Sequence, residues 1–252
     1  MKSGADASAG TLGEQAQAFA DRLTNSVHAV AAGCGPFTSR AMYIGDGPER
    51  FGVLQEPDTG VPLTVDGATL LTLKVKYFCT WDGHEQFLAI ERSDERVFAG
   101  NIAEGEPLFR YDYVRKPGRN QPSAHVQVHA HRDAISDVMS KVGQSTRRAR
   151  NRARSSDAPR VSELHFPVGG PRFRPCLEDV LEMLVCELGV DCSPEGRETL
   201  REARAEWRRL QVAVVVRDAP ETAAAELADL GYTVAPPADG HPLEKASRLT
   251  EH

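Results

Sequence analysis

The chain has 252 residues, 40% of them hydrophobic and 26% charged, with a net charge of −6. That length fits one medium domain with extensions, or a medium and a small one, and the apolar fraction is enough for a sizeable core. The negative balance excludes a protein that coats nucleic acid over its whole surface, but it leaves room for a local basic patch.

The five cysteines, Cys34, Cys79, Cys176, Cys186 and Cys192, are odd in number and form no CxxC pair. That is the pattern of reduced thiols in a cytosolic protein. No apolar run approaches the roughly 20 residues of a membrane span. The opening MKSGADASAG has no apolar signal core. The expected location is therefore the cytoplasm, with no membrane contact. Only 6 of the 30 basic residues are lysine, a usage that suggests a GC-rich bacterial genome.

In chain order, residues 1–10 are small and polar and read as a disordered start. A helix is predicted from Thr11 to about Ala32, with Thr11 as cap. Its apolar residues Leu12, Ala16, Phe19, Leu23, Val27 and Val30 recur at three- and four-residue steps. From about 39 to 131 the period changes to two. Eight short runs, RAMYIG, FGVLQE, VPLTVDG, TLLTLKVKYFCTW, EQFLAIERS, RVFAGN, PLFRYDYV and HVQVHAH, are bounded by turn residues. Leu71, Leu73, Val75, Tyr77 and Cys79 share one strand face, and Thr72, Lys74, Lys76 and Thr80 the other. WDGHE reads as the turn of a hairpin. Strands joined by short turns without helices between them make an antiparallel, curved sheet.

Residues 141–160 hold seven basic side chains against one acidic and read as a basic linker or arm. VSELHF then reads as a final strand and VGGPRFRP as a loop. Helices follow over 177–188, over 194 to about 217, and from Pro220 to Gly231. The second is expected to turn Leu200, Ala203, Trp207, Leu210 and Val214 inward, with the Val212–Val216 run as core. The last fifteen residues read as a tail. The fold class is α+β: an N-terminal helix, a curved antiparallel sheet, and a C-terminal helical portion packed on it. The divisions are 1–10, 11–140, 141–160, 161–236 and 237–252.

HVQVHAH places His125, His129 and His131 on one strand face with Gln127, and Val126, Val128 and Ala130 on the other. If the valines cover the core, the histidines face solvent, a cleft or a partner. At about 3.3 Å per residue, His129 and His131 lie roughly 6.6 Å apart and can converge on one divalent metal ion, whereas His125, roughly 13 Å from His129, cannot. His165 is the further candidate ligand. The acid–base reading needs no metal. LFRYDY, expected on the adjacent strand, turns Arg110 and Asp112 to one face, where they would flank the imidazoles. In that reading His125, His129 and His131 move protons, Arg110 steadies phosphate and Asp112 orients. Against it stands a plain solvated face with an exposed ion pair.

The sequence LFRYDY…HVQVHAH resembles small toxins of type II toxin–antitoxin pairs, which carry an FRYD-like strand and a nearby run of histidines. The resemblance covers about residues 107–131. It implies action on RNA in the cytoplasm, with Arg110, Tyr111, Asp112, His125, His129 and His131 at the matching positions; a small helix-turn-helix protein encoded beside it, as partner, would favour a paired regulatory system without choosing the active member. LHFPVGGPRFRPCLEDVLEML resembles a bacterial protein family and implies no particular activity. Arg147, Arg148, Arg150, Arg152 and Arg154 could grip phosphates or form a soluble linker. No GxGxxG or GxxxxGK[ST] pattern occurs, so the chain carries no nucleotide fingerprint. The leading expectation is a toxin-like protein acting on RNA by histidine acid–base chemistry. The second is a non-enzymatic binding or accessory module of a paired regulatory system.

Overall fold

The computed structural model describes residues 10–42, 47–56, 58–83, 85–118, 121–129, 150–151, 154, 160–163 and 166–250. The expectations for residues 1–9 and for most of 141–160 lie outside them.

The first helix, α1, spans Leu12–His28 and begins on a capping box. Thr11 Oγ1 accepts from the Glu14 backbone, and the Glu14 carboxylate accepts from the Thr11 N–H. This satisfies two donors that the helix start leaves free. Leu12, Ala16, Ala20, Leu23 and Val27 are buried, a stripe at helical spacing that lies on the sheet.

The strands are β1 (Phe37–Met42), β2 (Arg50–Gln55), β3 (Val61–Val65), β4 (Ala68–Trp81), β5 (Leu88–Ala99), β6 (Phe109–Val114), β7 (Ala124–Val128) and β8 (Phe166–Pro167). All pair antiparallel, in the order β1-β2-β4-β5-β6-β7-β8, with β3 added on β4. A bulge at Phe78/Cys79 interrupts the β4–β5 ladder, the device that bends a sheet. The β3–β4 hairpin turns on Asp66 (φ 51°) and Gly67 (φ 78°), the positive-φ pair that a tight hairpin requires. The Asp191 carboxylate accepts both of their N–H groups, at 3.0 and 2.9 Å. At the free edge of β1, Thr24 and Gln17 of α1 accept the N–H groups of Phe37 and Ser39. That blunts a template for further strand pairing.

The helices after the sheet are α2 (Gly170–Phe173), α3 (Leu177–Glu187), α4 (Pro194–Asp218), α5 (Pro220–Asp229) and α6 (Ala246–Thr250). Leu177, Leu181, Leu184, Val185 and Leu200 join α1 and the inner sheet face in one core with Leu63, Leu73, Val75, Tyr77 and Val97. Among the described residues, no helix is long and apolar enough to cross a membrane.

The α+β class with a curved antiparallel sheet is as the sequence implies, and four local expectations are corrected. EQFLAIERS and RVFAGN are not separate strands but one, β5, because the Asp94–Glu95 pair between them is buried with partners rather than turned out. VSELHF is a 3₁₀ turn (Val161–Glu163) followed by the two-residue β8, and the loop after it winds one helical turn as α2. In α4 the side chains of Leu210, Val212 and Val216 are exposed, since the helix outruns the layer beneath it. The expected tail contains α6, tied down by the Lys245 N–H to the Asp218 carbonyl and by the Lys245 ammonium 3.4 Å from the Asp218 carboxylate.

Candidate functional site on the outer sheet face

Strand parity sorts the central sheet into two faces. Leu73, Val75 and Tyr77 of β4, Ser93, Glu95 and Val97 of β5, and Phe109, Tyr111 and Tyr113 of β6 point toward the helices. The other face carries rows of charge. One row crosses four strands as Lys76, Asp94, Asp112 and His125, and the next as Lys74, Arg96, Arg110 and Gln127.

Asp112 lies between Arg110 and His125. Arg110 Nε is 2.9 Å from Asp112 Oδ2, and His125 Nε2 is 3.5 Å from the same oxygen. Arg110 Nε also donates to Gln127 Oε1 at 2.6 Å, and Gln127 Nε2 donates to the Ser162 carbonyl at 2.7 Å. Gln127 therefore clamps the 3₁₀ turn over this end of the sheet. On β5, Arg92 and Arg96 both reach Asp94 Oδ1, at 2.9 and 3.4 Å. Lys74 and Lys76 converge on Asp58.

The two aspartates face each other across β5 and β6, and their environments push them apart. Burial raises Asp112 to about 6, with the Asp94 carboxyl adding to the rise and Arg110 and Arg96 opposing it. Burial also acts to raise Asp94, but the guanidinium of Arg92, the neighbouring Asp112 carboxyl and the charge of Arg96 outweigh it and hold that carboxyl below its ordinary range. The two carboxyls side by side therefore differ, with Asp112 keeping its proton up to about pH 6 and Asp94 releasing its own below the ordinary carboxylate range.

The structure brings together Arg110, Asp112 and His125, on the face that parity predicts. It departs from the expected exposure. His125 is fully buried, Gln127 nearly so, and Val128 is 37% exposed. At β7 the helix layer has thinned to the single turn of α2, while residues 121–123 and 161–163 fold over the other face. His125 is held by the Pro122 carbonyl at 3.2 Å from Nδ1 and by Gln121 at 3.4 Å from Nε2. Its reach is to Asp112, not to solvent.

His129 lies past the end of β7, where its N–H donates to the Leu108 carbonyl and its Nδ1 is 2.8 Å from Glu106 Oε1. It stands apart from the Asp112 cluster. His131, His165, Arg147, Arg148 and Arg152 lie outside the described residues, so the proposed His129–His131–His165 metal set does too, apart from His129. Among the described residues, no group of three or more His, Cys, Asp or Glu side chains is placed to hold a metal ion. Arg150 and Arg154 are exposed.

Sequence reasoning missed Arg92, Asp94 and Arg96. Their signal was ERSDER, a charged run set inside what is one continuous strand. It also missed a buried polar cluster on the inner face. There the Tyr77 hydroxyl donates to Glu95 Oε1 at 2.6 Å. Arg174 lies 3.8 Å from the Tyr113 ring centre and 5.7 Å from that of Trp207. Burial pushes Glu95 up to about 7 against the pull of Tyr77 and Arg174. A small cavity there is lined by Ser93, Glu95, Tyr111, Tyr113 and Arg174, and Asp112 and His125 of the outer-face cluster border it as well.

Compared with known proteins, the chain matches no family model, no curated protein and no solved structure. The site is therefore read from its own chemistry.

Proposed function

We propose that the protein acts on RNA by acid–base chemistry on the outer sheet face, in the toxin-like manner that the FRYD resemblance implies. The observation that carries this reading is Asp112 of the FRYD strand, set between Arg110 and the first histidine of the adjacent strand. A carboxyl held near 6 exchanges its proton close to neutral pH, as a general acid or base must. Arg92, Arg96 and Arg110 supply the planar donors that suit a phosphate group. In this reading the proton work moves from the imidazole to Asp112, and His125 becomes a positioning residue. Protonated Asp112 gives its proton to the leaving 5′ oxygen of an RNA phosphodiester. The 2′ oxygen bonds to the adjacent phosphorus as its own proton passes to solvent, and the P–O5′ bond breaks.

The test is incubation of purified protein with a short single-stranded RNA, beside Asp112→Asn and His129→Ala. Cleavage by wild type that Asp112→Asn loses supports the reading. Equal degradation by wild type and Asp112→Asn, or none from either, rejects it.

A second reading, an accessory module of a paired regulatory system, draws on the apolar side chains Leu210, Val212, Val216, Leu227, Leu230 and Tyr232, all exposed on or just after α4 and α5. Co-purification with a small helix-turn-helix protein encoded beside it, together with no action on RNA, favours this reading over the first.

A further inference from the structure

We infer that the Asp94–Asp112 pair is a proton gate on a phosphate site: with one proton shared between the carboxyls, the guanidiniums of Arg92, Arg96 and Arg110 are open to a phosphate group, and with both carboxyls ionised they are closed. This rests on the reading above, which seats phosphate on this face, and deepens it by assigning the control of that seat.

The geometry is that of a floor and a rim. The carboxyl side chains of Asp94 and Asp112 are 7% and 9% exposed, while those of Arg92, Arg96 and Arg110 are 50%, 35% and 28% exposed. Arg92 and Arg96 share a single oxygen, Asp94 Oδ1. Three guanidiniums carry many more N–H donors than two carboxylates accept. Two buried atoms at the floor have no partner among the described residues, Asp112 Oδ1 and Arg96 Nε. Asp112 stands opposite Asp94 in the β5–β6 register, which sets two carboxyl acceptors beside each other across the strands. A proton on Asp112 turns that repulsion into a hydrogen bond to Asp94. The Arg96 side chain is 35% exposed, and its outward N–H groups are the kind of donor that an incoming phosphate oxygen meets.

Other groups face the pair from each neighbouring strand. Lys76 stands in register with Asp94 on β4, and both Lys76 and Lys74 are engaged by Asp58. His125 and Gln127 approach from β7, and Gln121 approaches His125 from the preceding loop. With the pair fully ionised, its two negative charges lie beneath the guanidiniums that a phosphate would meet and engage them. Uptake of one proton removes one of them and loosens Arg110. The raised position of Asp112 beside a lowered Asp94 supports this order of protonation.

Calorimetric titration with sulfate, whose charge stays constant over the range, tests the gate at about pH 5 and about pH 8. Wild type is expected to bind sulfate roughly tenfold tighter at the lower pH, the effect of removing one unit charge at contact range. Asp112→Asn mimics the protonated carboxyl, so it is expected to bind at the higher pH as tightly as wild type does at the lower, with no pH dependence. Arg96→Gln is expected to weaken binding at both. The gate is overturned if wild type shows no pH dependence, if Asp112→Asn keeps it, or if Arg96→Gln changes nothing. Should Asp112→Asn fail to fold, Asp94→Asn makes the same neutralisation on the partner and is read the same way. A uridine oligomer run in parallel separates the two ideas. Gated sulfate binding without action on RNA sinks the RNA reading alone, and RNA cleavage with ungated sulfate binding sinks the gate alone.

Discussion

The Tyr77 hydroxyl and the Glu95 carboxyl meet at 2.6 Å between β4 and β5, inside the layer where α1 and α3 cover the sheet. Glu95 is 4% exposed and is pushed up to about 7 by that burial. An unfolded glutamate loses its proton near 4.3. Between those two values the folded state holds a proton that the unfolded state has released. Glu95 therefore lowers stability as pH rises through this window, and the full penalty stands above it. Glu95→Gln keeps an acceptor for Tyr77 and removes the charge. Urea unfolding is expected to show it more stable than wild type by up to about 3 kcal/mol near pH 8, with the advantage vanishing toward the acid end of the window. Parallel pH profiles for the two proteins would remove Glu95 as the cause.

Arg174 sits in the same cluster, 3.8 Å from the centre of the Tyr113 ring. Burial holds its guanidinium below the ordinary arginine range. A lysine at this position keeps the charge but loses the planar stacking on Tyr113 and Trp207. Arg174→Lys is expected to cost about 1–2 kcal/mol in thermal or chemical unfolding. A variant as stable as wild type would show that the stacking contributes nothing.

The two described histidines of the HVQVHAH stretch are expected to behave differently. His125 has no exposed surface and bridges the Pro122 carbonyl and Asp112. His125→Ala leaves a cavity and unmet polar groups, at about 2–4 kcal/mol. His129, whose side chain is 14% exposed, pairs with the 49% exposed side chain of Glu106, and His129→Ala is expected to cost less than His125→Ala, about 1–2 kcal/mol. Comparable losses in the two variants would mean that the burial contrast is wrong.

Gly196 lies in the first turn of α4, against the C-terminal end of α1. A Cβ there would stand 2.4 Å from the Ala29 carbonyl oxygen and 3.0 Å from Cys192 Sγ. On a free helix, alanine for glycine gains about 1 kcal/mol. Here the clash is with backbone, and Gly196→Ala is expected to lose about 1–3 kcal/mol instead, read as a fall in Tm. A rise in Tm would mean that the α1–α4 junction is looser than the structure shows.

If RNA lies along the outer face, its binding should weaken with salt in proportion to the phosphates contacted, about 0.7 in slope for each on a single strand. Arg92→Ala, which removes the most exposed guanidinium of the rim, is expected to lower the slope of log Kd against log salt by about that amount. An unchanged slope would place phosphate elsewhere.

Much of this architecture follows from local rules. The Thr11 cap, the α1 stripe, the Asp66–Gly67 turn and the antiparallel meander rest on periods and turn chemistry confined to a few residues, and they can be read without the rest of the chain. So can the sidedness of Arg110, Asp112 and His125, because the strand period of two is a property of the backbone. What the sequence could not supply is depth. HVQVHAH reads as a strand with a polar outer face, yet His125 is buried and Val128 exposed. The cover is provided by residues 121–123 and 161–163, distant from one another along the chain. ERSDER reads as a break for the same reason. Arg92 and Arg96 flank Asp94 on the same strand, but the Glu95 carboxyl is tolerable inside the sheet only once Tyr77 of β4 has been brought to it. Burial, and with it every displaced carboxyl, depends on which segments meet in space, and the pairing of segments far apart in sequence was decided only by the tertiary structure.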